Sequence, residues 1–413
     1  MMAEFKFLLK EKASLVWLGL AFALSVFAVT FGLLEVRSQT THIEELTQLD
    51  KAEQAVVLSE QSDWGGLAYY SYHLTYDPPS DFAFAALGQR DSQPWKHRIR
   101  MLALEGQIHE SDAANPDFAL MGRFDFAALI SLLGPLLIIL LLYDLRSSER
   151  SAGRLELLEA SVGSGRRLWR QKAMLRVGLL SLMFLIPLWV GAIISATSMI
   201  LIVKASLLTY VYLIFWSLIC LWAAKPQHTG ARNLTQLMGV WLLICAIVPA
   251  FTSELTSRLV PAPDGGDIIM TQREAVNDAW DLPKDATMKP FVTRHPDYAD
   301  YSHIDRPFEW KWYYAFQQVG DQTAERLSQA YTNGREKRDK WSGRLSLLSP
   351  ASFVQRAIES LAQTDTKAAL VYEADIRSFH QELRMFYYPR LFKDLPYDTE
   401  DAKTRPQFLN RRD

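Results

Sequence analysis

The chain has 413 residues, a net charge of -2 at pH 7 and only two cysteines, Cys220 and Cys245. Both cysteines lie inside long apolar runs and are expected to pack as small apolar residues, so a disulfide framework is excluded. The mean hydropathy of -0.02 is that of a soluble protein, but this average conceals a strong clustering of the apolar residues. The clustering, rather than the composition, decides the class of the protein.

Five apolar runs predict five transmembrane helices, at residues 14–34, 124–143, 177–203, 205–224 and 234–252. About 20 apolar residues in a helix cross the hydrocarbon core of a bilayer, which is about 30 Å thick. The alternative, buried helices of a soluble domain, is disfavoured because such helices usually keep a polar stripe, which these runs lack. The first run is too long for a cleaved signal peptide and lacks a cleavage site of small residues.

Basic residues between the apolar runs predict the orientation through the positive-inside rule. They cluster before the first run, in the loop at residues 144–176 and in the loop at residues 225–233. These clusters share one side of the membrane if the N-terminus is cytoplasmic. Because the basic residues follow the membrane topology, they give no support for nucleic-acid binding. Lys204 is expected to mark the outer end of the turn between the third and fourth helices.

This orientation places residues 35–123 outside the cytoplasm as a first polar segment. A polar helix is expected at residues 41–60. Glycines, a tyrosine cluster and Pro78-Pro79 then predict turns and short extended pieces. Partial alternation of apolar and polar residues predicts a strand or short helix at residues 97–108.

Residues 253–413 form a second polar segment, which is expected to be mostly helical. Apolar residues recur at helical spacing in residues 310–341. Ser349 and Pro350 predict the start of a helix at residues 351–362, since serine caps and proline suits the first turn. Another helix is expected at residues 367–385. The two polar segments are predicted to pack into one mixed α/β domain on the membrane surface.

Residues 144–176 combine a charged helix with a return to the membrane. Ser147 or Ser148 is expected to cap this helix. Its apolar stripe consists of Ala152, Leu155 and Leu158, and its charged face of Arg146, Arg150, Arg154 and Glu156. Such a helix can dock in a groove of a soluble partner. An arginine-rich loop that sets the topology and touches anionic lipid is an equally good explanation, and these residues alone leave both open.

The pattern Glu149-x-x-x-Gly153-x-Leu155-x-x-Leu158, followed by Arg166-Arg167-Leu168, resembles the segment after the second membrane helix of ABC-2 (type-2 export) ABC transporter permeases. Further stretches resemble the subgroup with two large extracytoplasmic insertions: LTYDPPSDFAFAALGQRD, RMLALEGQI, NPDFALMGRFDFAAL, YDLRSSERSAGRLELL, AFQQVGDQ, LLSPASF and SFHQELRMFYYPRLF. The resemblance implies a coupling helix that contacts a separate cytoplasmic ABC ATPase. The implied contact residues are Arg146, Ser147, Glu149, Arg150, Gly153, Arg154, Leu155 and Leu158.

The resemblance also implies an N-terminal interfacial helix at residues 1–13. Its apolar side chains, such as Phe5 and Leu9, would enter the interface, and Lys6 and Lys10 would meet lipid headgroups. The location would be a bacterial cytoplasmic (inner) membrane. The implied partners are two copies of the ATPase, which would hold ATP and Mg, a second permease of the same or a related chain, and a possible periplasmic protein.

The fold that we predict is a mainly α membrane protein with five transmembrane helices and an extracytoplasmic domain built from two insertions. Permeases of the implied family usually close with a sixth membrane helix, whereas this sequence ends in a polar stretch. We expect that this helix is missing from the sequence, and the alternative is a five-helix subunit with its C-terminus outside.

No catalytic or cofactor motif is expected to act in this chain. It has no G-x-x-x-x-G-K-[ST] loop, so we expect it not to bind ATP itself and to be a non-catalytic subunit. A loop-like run fits no standard metal site, although it contains His295, Asp297, Asp300, His303 and Asp305. Two alternatives to export remain: transmission of motion to a periplasmic partner without a transported substrate, and an anchored scaffold.

Overall fold

The computed structural model describes residues 4, 5, 8, 10–91, 93–110, 124–161, 165–225 and 227–409. In chain order its helices are α1 (Lys12–Glu60), α2 (Trp64–Tyr70), α3 (Leu104–His109), α4 (Phe126–Ala128 and Gly134–Leu142), α5 (Ser147–Ser151), α6 (Leu155–Ser161), α7 (Gly165–Ile194), α8 (Met199–Ala223), α9 (Gly230–Leu242 and Val248–Leu259), α10 (Gly265–Asp281), α11 (Lys284–Arg294), α12 (Trp310–Leu345), α13 (Pro350–Leu361), α14 (Thr366–Phe392) and α15 (Thr399–Lys403).

Shorter elements connect these helices. The two parts of α4 flank a π-helical turn, Leu129–Leu133, and those of α9 flank another, Leu243–Ile247. The strands are β1 (His73–Tyr76) and β2 (Lys96–Ile99). Turns of 3-10 helix lie at Ala83–Ala85, Gly88–Asp91, Pro296–Tyr301 and Ser346–Leu348.

Within the described residues, five helices are long and apolar enough to cross a membrane, which confirms the predicted number. They are α1, the span Phe126–Ser151 that contains α4 and α5, Arg167–Ile194 within α7, α8 and α9. Of the most apolar window of each span, 67% is buried in the α4 span and 11% in α9. The five spans share one apolar cluster, which we call the membrane core. The α4 span lies at its centre, and α9 lies at its edge.

The first membrane helix continues far beyond its apolar run. Helix α1 has 49 residues, which corresponds to about 74 Å at 1.5 Å per residue. The sequence predicted a membrane helix ending at residue 34 and a separate polar helix at residues 41–60. These form one helix because no glycine or proline occurs between Gly32 and the end of α1 to interrupt it.

The 3-10 turn Ala83–Ala85 packs between α1 and α7, where two glycines leave space for it. A Cβ atom on Gly32 would lie 2.0 Å from the carbonyl oxygen of Phe84, and one on Gly191 would lie 2.5 Å from Cγ1 of Val29. Phe84 itself is fully buried in the membrane core. The first polar segment is thereby fixed directly to the membrane helices.

Gly32→Ala is expected to lower the free energy of unfolding by about 1–3 kcal/mol, because the backbone of the 3-10 turn would have to move. Gly19 lies in the same helix, and nothing stands within 4 Å of a Cβ atom placed there. Gly19→Ala should therefore be neutral or stabilising by up to about 1 kcal/mol. Thermal unfolding of both variants in detergent measures the difference, and equal melting temperatures would contradict the close packing at Gly32.

The turn between the third and fourth membrane helices lies at residues 195–198, so the boundary predicted at Lys204 is wrong. Lys204 lies inside α8 and is exposed. A lysine near a helix end can extend its ammonium group toward the interface, so its charge did not mark the turn. The hydroxyls of Ser195 and Thr197 donate to the carbonyl oxygen of Asp81 at 2.5 and 2.7 Å. This turn therefore also contacts the first polar segment.

The polar domain, defined as residues 61–110 and 260–409 without the segments 82–86 and 346–361, has its own apolar core. Side chains of both polar segments share this core, as predicted: Trp64, Leu67, Ile99, Leu104, Phe291, Phe316, Ile376 and Phe392 are among them. Strands β1 and β2 pair in antiparallel register, with His73 opposite Ile99. In the described residues the domain is otherwise helical, so a mixed α/β character is not seen beyond this hairpin.

His73 is buried in the polar domain, and burial lowers the pKa of its imidazole to about 3. Neither ring nitrogen has a hydrogen-bond partner among the described residues. Because the folded-state pKa lies below the ordinary value, unfolded chains bind more protons, and stability falls as the pH drops from about 6.5 toward 3.

His73→Leu should remove this loss of stability, so the melting temperatures of variant and wild type should diverge as the pH is lowered. The expected gain of the variant is at most about 1.4 kcal/mol per pH unit below 6.5. His42→Leu is the matched control, because His42 is exposed on α1. Parallel pH profiles for wild type and His73→Leu in thermal unfolding would refute a neutral, buried His73.

Helix α13 packs on the membrane core although it belongs to the second polar segment. Its face formed by Ala351, Val354 and Ile358 is buried against α4, α8 and α9. As predicted, the Ser349 side chain caps the helix by accepting from the Ser352 backbone N–H at 3.3 Å. Helical periodicity predicts such an apolar face but does not identify what it contacts, so the expectation that all of residues 253–413 stay outside the membrane bundle was incomplete.

Candidate docking elbow

Helices α5 and α6 form a sharp elbow at one end of the membrane core, at the far end of the α4 span from the polar domain. Between them Gly153 has a φ of 70°, in the left-handed region that side chains other than glycine rarely adopt. Backbone N–H groups of Gly153 and Arg154 donate to the carbonyl oxygens of Arg150 and Glu149, both at 2.9 Å. This closure of the α5 end is typical of helix C-caps and fixes the angle of the elbow.

The predicted serine cap of α5 is wrong. In the described part of the chain, neither Ser147 nor Ser148 caps the helix with its hydroxyl. The Ser148 hydroxyl instead donates to the carbonyl oxygen of Asp144 at 2.7 Å, and its backbone N–H donates to the same oxygen at 2.9 Å. A turn leads directly from α4 into α5, so the preceding backbone satisfies these groups and a separate cap is not needed.

Ion pairs and a tryptophan brace the elbow against α7. The Glu149 carboxylate accepts from Nε of Arg154 at 2.9 Å and lies 3.6 Å from Nζ of Lys172. Trp169 is buried and donates through its indole N–H to Glu159 at 2.8 Å. The ammonium group of Lys172 also lies 5.2 Å from the centre of the Trp169 ring. These contacts attach the elbow to α7 and through it to the membrane core.

The predicted contact residues separate into two groups. Leu155 and Leu158 pack against the membrane core, Arg146 and Glu149 are partly buried, and Ser147 is buried. Arg150, Gly153 and Arg154 are exposed. Leu155 and Leu158 therefore anchor α6, and the second group is the more accessible to another protein.

Leu157 is an exposed residue that the sequence analysis did not select. Its side chain is 74% exposed, beside the exposed Glu156. The predicted apolar stripe includes Leu155 and Leu158 but not Leu157, the third leucine of α6. An apolar residue outside the stripe of a charged helix is the sequence signal that could have identified Leu157. Leu157 and the exposed Arg150 and Arg154 belong to the same elbow, and we call these three residues the elbow surface.

The N-terminal segment is clamped to the same region by acidic residues that the sequence analysis also missed. Glu11 pairs with Arg176 at 2.7 Å, and Glu4 lies 3.9 Å from Lys172. Arg176 also donates to the carbonyl oxygen of Leu141 at 2.6 Å. The N-terminus, α4 and α7 are thereby joined at one point.

The predicted interfacial residues of this segment are only partly described. Phe5 is helical and 41% exposed, and Lys10 is exposed in a turn, whereas Lys6 and Leu9 lie outside the described residues. Leu8 is helical and buried in the membrane core. A cleft of about 360 Å³ lies between this segment, the elbow and α7.

The titratable groups of the polar domain form structural contacts. Among the described residues, no group of three or more His, Cys, Asp or Glu side chains is arranged to hold a metal. His303 and Asp305 approach to 3.0 Å but are exposed. His380 is buried against the carbonyl oxygen of Arg100 at 3.2 Å, and burial holds its pKa well below the usual value.

Comparison with known proteins identifies a shared segment rather than a function. Residues 268–410 match a family model described as a domain of unknown function (DUF3526). No curated protein and no solved structure matches the chain significantly. The matched segment contains α11 to α15 and most of α10, so it includes both the second polar segment's share of the polar-domain core and the membrane-packed α13.

Proposed function

We propose that this chain is the membrane permease subunit of an ATP-driven exporter of the ABC-2 type. The observation that carries the proposal is the elbow surface, where Arg150 and Leu157 are exposed on two short helices and Arg154 is exposed between them. The Glu149–Lys172 ion pair joins this elbow to α7. Leu157 supplies an apolar anchor for a partner cleft, and the two arginines supply charge complementarity. The partner is a cytoplasmic ABC ATPase, present in two copies, which binds ATP and Mg and supplies the energy.

Motion of the partner would reach the membrane through two helices. The Phe126–Ser151 span includes both α4 and α5, so a force on α5 acts directly on the central helix of the membrane core. The Glu11–Arg176 ion pair transfers the same force to the start of α1. We expect the helices to move as rigid bodies in a bacterial cytoplasmic membrane, with the N-terminus inside and a second permease completing the pathway.

Transmission of motion to a periplasmic partner is the second candidate function, and the continuity of α1 favours it. On the membrane side α1 follows directly from the ion-paired Glu11. At its other end, Asp50 of α1 accepts from the backbone N–H of Leu74 in the polar domain at 3.1 Å. Gln54 donates to the carbonyl oxygen of Tyr72 at 3.2 Å. A helix of about 74 Å fixed at both ends would carry movement of the elbow to the polar domain.

Purification of the intact membrane complex tests the proposal. An ATPase subunit should co-purify with the chain, and its hydrolysis rate should increase when the complex is reconstituted in lipid. ATP-dependent movement of a solute would support export, and hydrolysis without any moved solute would support transmission of motion. Absence of an ATPase from the intact assembly would leave only the anchored scaffold and would refute both candidates.

A further inference from the structure

The end of α12, the turn Ser346–Leu348 and α13 form a hairpin that reaches into the membrane bundle. Ser349, at the start of α13, donates from its hydroxyl to the carbonyl oxygen of Ile244 at 2.8 Å. Gln355 accepts from the hydroxyl of Ser131 at 2.9 Å. Ile244 and Ser131 lie in the two π-helical turns, within the apolar spans of α9 and α4.

These two hydrogen bonds give the depth of the hairpin. Ile244 lies ten residues before Glu254, the first charged residue of α9 toward the polar domain, which is about 15 Å along the helix. Ser131 lies six residues after Asp125, which is about 9 Å. The start of α13 is therefore as deep as the middle of a membrane-spanning helix, and the helix rises from there toward the polar domain.

Polar groups of the hairpin are paired in a way that suits this depth. Gln355 also donates to Glu359 at 2.8 Å, and Arg356 reaches back to the carboxylate of Asp339 on α12 at 2.6 Å. The bond from Ser349 satisfies a carbonyl oxygen of the irregular π turn in α9. Backbone and side-chain polar groups at membrane depth need such internal partners, because lipid offers none.

The outward side of the hairpin is apolar, and no residue that the structure describes covers it. Leu347 and Leu348 at the tip are 71% and 64% exposed, and Phe353 on α13 is 42% exposed. Trp341 and Arg344 precede the tip on α12, with the guanidinium 5.4 Å from the ring centre. Tryptophan and arginine at this position are typical of the membrane–water interface, with apolar side chains beyond them in the hydrocarbon.

We infer that the exposed side chains of residues 346–353, which are Leu347, Leu348 and Phe353, are immersed in the acyl chains of the bilayer. The second polar segment would then bind lipid directly. The exposed tip is continuous with the lipid-facing sides of the membrane helices, since its neighbour Ser349 is bonded to a mid-span carbonyl. Acyl chains are the occupant that fits an uncharged leucine pair at this depth. The hairpin thereby adds a further attachment of the second polar segment to the membrane, besides α9.

Site-specific fluorescence quenching tests this inference on the full-length chain. Leu347→Cys and Leu348→Cys would each carry a bimane label in nanodiscs that contain phosphatidylcholine with brominated acyl chains. Leu242→Cys, 49% exposed on α9, is the lipid-facing control, and Leu395→Cys, 45% exposed in the polar domain, is the water-facing control. Both natural cysteines are buried, so the wild type measures background labelling.

Quenching by brominated lipid is expected to be at least about threefold greater at the tip labels than at the Leu395→Cys label. Iodide in the buffer should quench the tip labels as weakly as it quenches the Leu242→Cys label. Strong iodide quenching at both tip positions would place the hairpin in water and overturn the inference. Protection from both quenchers would mean that protein, such as a second copy, covers the tip, and would overturn it equally. The exposed leucines contribute little packing, and two independent positions guard against a local folding defect.

Discussion

Leu157→Asp is expected to abolish co-purification of the ATPase and ATP-dependent activity while the permease remains folded. The side chain is 74% exposed in the isolated chain, so aspartate costs little there. In the proposed complex the same position fills a partner cleft, where a carboxylate loses apolar contact and is desolvated without a partner. Together these losses amount to about 3–5 kcal/mol, or at least about 100-fold in affinity.

One control and two further variants separate docking from folding. Leu282→Asp, 49% exposed in the polar domain, makes the same chemical change at a site without a proposed ATPase contact and should leave co-purification unchanged. Arg154→Ala should weaken ATPase binding about 10-fold, the effect of removing one charged contact, and Glu149→Ala should uncouple hydrolysis by loosening the elbow. If the Leu157→Asp protein bound the ATPase as tightly as the wild type does, and its melting temperature were unchanged, the elbow surface would not be the docking site.

Local patterns in the sequence were sufficient for the membrane helices and for the long polar-domain helix. Five apolar runs without a polar stripe predict five membrane-capable helices, and helical periodicity in residues 310–341 predicts α12, which ends at Leu345. These properties depend on neighbouring residues in one helix, so an isolated sequence contains them. Helix boundaries were predicted less accurately: Lys204 was expected to mark the end of a turn, but it lies within α8.

Contacts between distant parts of the chain were not predictable from the same patterns. Nothing near Ser349 indicates that its hydroxyl reaches Ile244, which is 105 positions away. At the elbow, Leu155 and Leu158 are predicted to contact a partner; both are half-buried against the membrane core, whereas Leu157 is exposed. Which face of a short amphipathic helix is buried depends on the tertiary structure, and periodicity identifies the faces without assigning them.

The long-range contacts also explain how the membrane core and the polar domain are joined. Arg90, which follows the membrane-packed turn Ala83–Ala85, is buried between Asp77 and α1. It donates to the Asp77 carboxylate at 2.8 Å, to the Asp77 carbonyl oxygen at 2.6 Å and to Gln39 of α1 at 3.0 Å. Asp77 directly follows β1. One arginine therefore links α1 to the β1–β2 hairpin of the polar domain.

Arg90→Met is expected to destabilise the protein by about 3–5 kcal/mol, because the Asp77 carboxylate would stay buried without its guanidinium partner. Arg98→Met is the matched control. Arg98 also links the β1–β2 hairpin to α1, through an ion pair with Glu53 at 2.6 Å. About half of each of these two side chains is exposed, however. Its removal should cost no more than about 1 kcal/mol.

Thermal unfolding in detergent compares the two arginine variants, and reconstituted ATPase activity shows whether the Arg90 link also transmits motion. If α1 carries movement to the polar domain, a folded Arg90→Met protein at low temperature should keep ATPase binding but lose coupled activity, since the elbow is intact and the link is not. Equal stability of the Arg90→Met and Arg98→Met variants would contradict the buried link. Full coupled activity in a destabilised Arg90→Met protein would confine the role of Arg90 to stability and would argue against α1 as the transmitting element.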